Sequence, residues 1–224
     1  MPLDLGFLAE WGSFIARGFL TTLEMTAIGL AGGFILGSAL ALGDVYGGRI
    51  LRILVNAYVE FFRGSPLLIQ LLFFYYGIPA LTGIHWSSYT AGAVTLILNS
   101  GAYQKGYIKG AIEAVPKDQI IAAKALGMTN RQILTHIVLP QAYRIVIPAW
   151  TNEFVSLGKS TAALLIIGVG ELTSAAMTIS ALTFRPLEVY TAIAVIYFIW
   201  IYLSLKLTEY VYNKVRIPGL GEEL

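Results

Sequence analysis

Gly158-Lys159-Ser160-Thr161 has the ending of a phosphate-binding loop. The full pattern, G-x-x-x-x-G-K-[ST], cradles phosphates on the backbone N–H groups of a loop between a strand and a helix. Here Glu153 stands where the first glycine belongs, and the tetrapeptide lies inside an apolar stretch. A nucleotide site is therefore not expected in this chain. Other chemistry fares no better. Intramembrane proteolysis would want Ser with His, or two Asp, at membrane depth. His85 falls in a predicted outer turn, and His136, Asp44 and Asp118 fall in polar loops. No acid–base pair or metal-ligating set emerges. The absence of cysteine excludes disulfides, thiolate catalysis and Cys-ligated metals. What remains is a group of polar residues within apolar sequence: Asn152, Glu153, Lys159, Ser160 and Thr161. A lysine at membrane depth costs about 2.5–3.5 kcal/mol on insertion scales, so it belongs on a water-filled path or against a partner. The residues alone leave three roles open: a substrate path, an ion pair with an acid on a neighbouring span, or a lysine that snorkels to an interface.

The elements that must carry these residues follow from composition. Of 224 residues, 57% are apolar and only 12% are charged, where a soluble domain has about 25% charged. So little charge cannot cover a soluble globule of this size. The net charge of +2 also argues against a nucleic-acid partner. No Asp, Glu, Lys or Arg occurs from Met25 to Gly43, between Arg63 and Lys105, or from Val189 to Leu205. With about 20 apolar residues per span, the sequence predicts an all-α membrane protein. Its five transmembrane helices lie near 18–42, 62–81, 88–110, 146–170 and 188–210. Pro79, Gly83, His85 and Trp86 suit an interfacial turn between the second and third. In the fourth, Lys159 lies 11 residues beyond Pro148, about 16 Å at 1.5 Å per residue. Glu153 points elsewhere unless the helix breaks, for which Gly158 offers a place.

Lys and Arg sort by side. Arg49, Arg52, Arg63, Lys109, Lys117, Lys124, Arg131, Arg144, Lys214 and Arg216 share one side, against Arg17 and Arg185 on the other. The positive-inside rule puts the N-terminus outside and the C-terminus in the cytoplasm. Asp4 and Glu10 precede any Lys or Arg, so no cleaved signal peptide is expected. Gly29, Gly33 and Gly37 predict a close helix–helix contact through a small-residue face.

The longest polar stretch, 113–144, reads as two short helices joined by a turn. Asp118 caps the first, and Gly127 sits where a left-handed stop residue belongs. Thr129 and Gln132 form a capping box for the second. Ile133, Leu134, Ile137 and Val138 make its apolar stripe, and Pro140 ends it. A DNA-reading helix-turn-helix is excluded because both flanks enter the membrane. An amphipathic helix presented here suits a helix-in-groove contact with another protein.

Ala122-Ala123-Lys124-Ala125-Leu126-Gly127, followed after nine residues by Ile137-Val138-Leu139-Pro140, resembles the signature loop of type I permeases of binding-protein-dependent ABC importers. Ile121 stands where that family usually has Glu. Glu60 to Gln70, with Arg63-Gly64-Ser65-Pro66 inside it, is similar to the E-x-x-R-G-T-P-x-x-x-Q segment of the polar-amino-acid branch. Ala102-Tyr103 through Lys109-Gly110 is similar to its A-Y-x-x-E-x-x-R-G segment, with Gly106 for the acid and Lys109 for Arg. Leu139 to Arg144 and Asn152-Glu153-Phe154 also match, and the resemblance covers about 17–217.

The resemblance implies one permease domain, 17–215, that pairs with a copy of itself or a close homologue in the cytoplasmic (inner) membrane of a prokaryote. Two cytoplasmic ATPase subunits, which hold ATP and Mg, would dock on the coupling loop 113–144 through Ala122, Ala123, Gly127, Ile137, Leu139 and Pro140. This chain would hold no cofactor. An extracytoplasmic solute-binding protein would deliver an amino acid. The implied path adds Asn99, Ser100 and Tyr103 of the third helix to Asn152, Glu153, Lys159, Ser160 and Thr161. Homologues handling cationic amino acids can carry an acid just after the Lys, and Ser160 here disfavours that class. The alternatives are a permease for another small polar solute and an ATP-independent channel or facilitator. The channel would leave the capped loop without a purpose.

Overall fold

The computed structural model describes residues 6–216, and Asp4 and Ile217 lie outside them. The described residues form helices and no strand. A short 3₁₀ turn precedes α1, Gly12–Tyr46. Then come α2, Arg49–Gly64, α3, Leu67–Thr82, and α4, Ser88–Glu113. Two shorter helices follow, α5, Lys117–Ala125, and α6, 130–145. The chain continues through α7, Ile147–Ser160, which tightens into 3₁₀ turns to Ile167. It ends with α8, Leu172–Thr183, and α9, Pro186–Val215.

α1 and α9 are each long and apolar enough to cross a membrane unaided. Two bent pairs, α2–α3 at 104° and α7–α8 at 52°, raise the number to four if each is one span. The predicted third span, α4, falls outside that set. It carries Lys105, Lys109 and several hydroxyl and amide side chains along its length. Even so it occupies the centre of the fold, packed against α1, α2 and α7.

The glycines of α1 explain how the two helices meet. A Cβ on Gly33 would lie 2.8 Å from the Gln104 amide nitrogen, and one on Gly37 would lie 2.9 Å from the Lys105 backbone nitrogen. The spacing of Gly29, Gly33 and Gly37 thus marks the close helix contact expected of it.

The helices depart from the predicted spans in two places. Span 62–81 is two helices, because Pro66 offers no N–H and forces Ser65 into an extended conformation (φ −109°, ψ 145°). Gln70 holds the corner, its amide donating to Phe62 O at 2.8 Å and Ser65 O at 3.0 Å. The fourth span does not break at Gly158. That residue is buried inside α7, where a Cβ would overlap the ring of Trp200 on α9. The interruption comes at Gly168, in the left-handed region (φ 83°). The stretch after it, between the predicted fourth and fifth spans, begins a new helix because Glu171 caps α8, accepting from Thr173 N at 2.8 Å and Ser174 N at 2.7 Å. Gly158→Ala is accordingly expected to lower stability by about 1–3 kcal/mol through overpacking against Trp200. Thermal unfolding in detergent reads this out, and an unchanged midpoint would contradict the packing.

Pro140 does not end its helix either. A π turn, Leu134–Val138, precedes it, and a second, Phe73–Gly77, precedes Pro79. In each case the carbonyl four residues before the proline belongs to the widened turn. The extra room accommodates the ring and the missing donor. Ala123, Ile133 and Val138 of α5 and α6 share a core with Ile108, Ala111 and Ile112 of α4 and with Ala142 and Val146. The two short helices are therefore a packed extension of α4.

Candidate functional site

α4 and α7 converge on a cavity of about 310 Å³. Asn99, Tyr103 and Tyr107 line it from α4, Glu153, Ser156 and Ser160 from α7, and Ser65 from the α2–α3 corner. A second cavity of about 410 Å³ continues along the same helices, sharing Tyr107 and adding Gly106, Gly110 and Asn152. Together they form a groove that is polar at the first cavity and mainly apolar along the second.

Glu153 is 5% exposed. Ser100 Oγ donates to its Oε1 at 2.7 Å. Gln104 Nε2 donates to Ser100 Oγ at 2.9 Å and to Leu30 O at 2.9 Å. This chain of hydrogen bonds runs from α1 through α4 to α7 and fixes the carboxylate. Ser100 is fully buried and holds Glu153 rather than lining the cavity. Asn99 Nδ2 donates to Gln70 Oε1 at 3.1 Å and Phe62 O at 3.3 Å, tying α4 to the α2–α3 corner. Tyr103 lies under the Arg63 guanidinium, 5.1 Å from carbon to ring centroid.

The predicted residues of α7 separate. Asn152, Glu153 and Ser160 line the groove. Thr161 does not, since it is fully buried and donates to Gly158 O at 2.8 Å. Lys159 is exposed beside the groove and makes no ion pair or hydrogen bond among the described residues. The alternative of an acid partner within this chain therefore finds no support among them. The Gly158-Lys159-Ser160-Thr161 segment is helical, with no strand before it among the described residues.

Several buried polar residues went unrecognised in the sequence. Asp44, placed by sequence in a loop, ends α1 and is 1% exposed. Its Oδ2 lies 2.8 Å from both Lys105 Nζ and Lys109 Nζ. Lys105 Nζ also donates to Asn56 Oδ1 at 3.1 Å, which brings α2 into the knot. The available signal was that Asp44 and Lys105 each end an uncharged run at the same level. Gln104 and Tyr107 each follow a predicted site residue of α4 by four positions, which is the same helix face. Glu171 is fully buried, and Tyr197 donates to it at 3.3 Å.

In the α5–α6 segment Gly127 has φ 79°. Gly127 N donates to Lys124 O at 3.0 Å and Met128 N to Ala123 O at 3.1 Å, closing the first helix. Both halves of the Thr129–Gln132 capping box form. Asp118 is not the cap, because Pro116 holds that position and Asp118 lies in the first turn. There its charge favours the helix N-terminus. Gln141 Nε2 donates to Gln119 Oε1 at 2.6 Å, fastening α6 to α5. Ala122 and Pro140 are exposed, Ile137 and Leu139 are half-buried, and Ala123 is buried. Ile121 and Leu126 extend the exposed face, at 63% and 83% exposure.

Residues 16–217 match the family described as binding-protein-dependent transport system inner membrane component. The chain is 33% identical over 186 residues to the glutamine transport system permease protein GlnP of Escherichia coli (strain K12), covering 83% of this chain and 85% of that one. It is 32% identical over 216 residues to the arginine transport system permease protein ArtQ of Bacillus subtilis (strain 168), covering 96% and 99%. The fold superposes on a crystal structure of an amino acid ABC transporter with histidines at a TM-score of 0.88, with 32% identity and coverage of 96% and 100%. An inward-facing structure of the MetNI methionine ABC transporter shares the fold at a TM-score of 0.77 and 23% identity, with coverage of 93% and 99%.

Proposed function

We propose, from the premise that this chain belongs to the family of binding-protein-dependent transport system inner membrane components, that it is the permease subunit of an ABC importer for a polar amino acid. The observation that carries the reading is the polar cavity between α4 and α7, set in an apolar helical shell and braced by buried hydrogen bonds. One permease domain, 17–215, would cross the membrane five times: α1, α2–α3, α4, α7–α8 and α9. Its N-terminus would lie outside and its C-terminus in the cytoplasm. A second permease subunit, identical or closely related, would face the groove and close the path in the prokaryotic cytoplasmic membrane. Asn99, Tyr103, Asn152, Glu153 and Ser160 would line that path. Lys159, exposed without a partner, would face its water or the second subunit.

Transport would be powered from outside this chain. Two ATPase subunits, with ATP and Mg, would seat α5 and α6 in their grooves through the face around Ala122, Gly127 and Pro140. This chain would hold neither a nucleotide nor a cofactor. The shared core of α4, α5 and α6 supports the coupling, because a displacement at α5 reaches the groove through packed side chains and not through a slack loop. Alternating access would then open the groove outward to receive the amino acid from the solute-binding protein, and inward to release it.

The absence of cysteine makes a direct test simple. Single cysteines at Ser156 and Ser160 are expected to react with a membrane-impermeant maleimide, and a cysteine at Thr161 is not. Trapping the ATPases with ATP and vanadate should change the reactive side. Equal labelling at 156 and 161, or labelling indifferent to the trap, would contradict the path.

A further inference from the structure

We infer that Arg63 sets the charge preference of the path: it receives the carboxylates of amino acids of net charge zero or minus one, and it repels net cations. The inference rests on the importer reading and adds the class of substrate. Arg63 is exposed at the end of α2, where its guanidinium covers Tyr103, a residue that lines the first cavity. No acid among the described residues pairs with it, and Glu60, one turn earlier, is no exception. Opposite it stands Gly106, which lines the second cavity and presents no side chain. A Cβ at 106 would lie 3.9 Å from Arg63 Nη1, so the space beside the guanidinium is open where the two cavities meet.

The other charges near the groove do not cancel it. Glu153 is the one acid lining either cavity, and it is 5% exposed. Ser100 donates to its carboxylate at 2.7 Å. Lys105 and Lys109 are turned to Asp44. Lys159 is exposed on α7 without an acid. The accessible charge beside the groove is therefore cationic. Inside a low-dielectric wall such a field attracts carboxylates and raises the cost of a second cation. Arg63 also has the geometry for the task, since a planar guanidinium meets a carboxylate through two parallel hydrogen bonds. The Tyr103 ring behind it restricts where that plane can lie.

The test uses the whole complex, permease with its ATPases and binding protein, in proteoliposomes. Uptake of labelled glutamate, glutamine and arginine is compared with the binding protein saturated by each. Wild type should transport glutamate or glutamine in preference to arginine. Arg63→Gln should shift the ratio of glutamate or glutamine to arginine toward arginine by about 10-fold or more. Gly106→Glu, which leaves Arg63 in place but neutralises it, should shift the ratio the same way, while Arg63→Lys should retain much of the preference. Co-purified ATPase shows that each variant is folded. Wild type that transports arginine best, or ratios unmoved by both Arg63→Gln and Gly106→Glu, would overturn the inference while leaving an ATP-driven importer intact. No ATP-dependent uptake of any amino acid would instead remove the reading on which it stands.

Discussion

Gly127→Val is expected to cut transport severely while leaving the membrane helices folded. Gly127 sits at φ 79°, with nothing within 4 Å of a Cβ built on it, so crowding is not the problem. The backbone is. A β-branched residue is a strong outlier in the left-handed region. Valine would push the turn out of it and break the closure in which Gly127 N and Met128 N donate to Lys124 O and Ala123 O. Released from that turn, α5 no longer presents Ala122 and Leu126 at a fixed angle to α6. If α5 and α6 couple the permease to the ATPases as proposed, misplacing them by an ångström or more should lower ATP-driven uptake by about 100-fold. Gly127→Asn, which tolerates the left-handed region, should keep most of it. Uptake and ATPase co-purification measure both variants, and a valine variant with wild-type values would contradict the coupling role of this segment.

Asp44→Ala should be strongly destabilising. It leaves the Lys105 ammonium buried, 9% exposed, with Asn56 as its remaining partner. Removing one member of a buried ion pair costs about 3–5 kcal/mol, most of it from the uncompensated charge left behind. Lys109 is 34% exposed and can turn to water or to Glu113, so it contributes less. The double change Asp44→Ala with Lys105→Met removes both charges and should recover much of the loss. A double-mutant cycle in thermal unfolding reads the coupling directly. Strictly additive effects would show that Asp44 and Lys105 do not act as a pair.

Both effects fall on positions that differ in how readily sequence reveals them. Gly127 was legible because glycine before a T-x-x-Q box has a local conformational meaning that no distant contact overrides. Gly29, Gly33 and Gly37 were legible for a similar reason, since their spacing alone places them on one helix face. Asp44 was not, because a charge at the edge of an apolar run reads as loop. Only the third dimension brings Lys105 and Lys109 beside it. The bend at Pro66 and the passage of the helix through Pro140 show the same limit. Proline removes a donor in both, but a corner stapled by Gln70 resolves one and a π turn the other. In the candidate site the residue types were found and their division of labour was not. Ser100 and Thr161 are polar positions on the right helices, yet both point into the core. Gly158 reads as a possible break until Trp200 is seen packed on it.

The central claim is that this chain moves an amino acid only when partner ATPases drive it. The most direct measurement is uptake of labelled amino acids into proteoliposomes containing this chain, its ATPase and its solute-binding protein, with ATP enclosed on the ATPase side. The account predicts accumulation of one class of amino acid that disappears when ATP is replaced by a non-hydrolysable analogue or the binding protein is omitted. Uptake that persists undiminished without ATP would contradict it and make the chain a channel or facilitator.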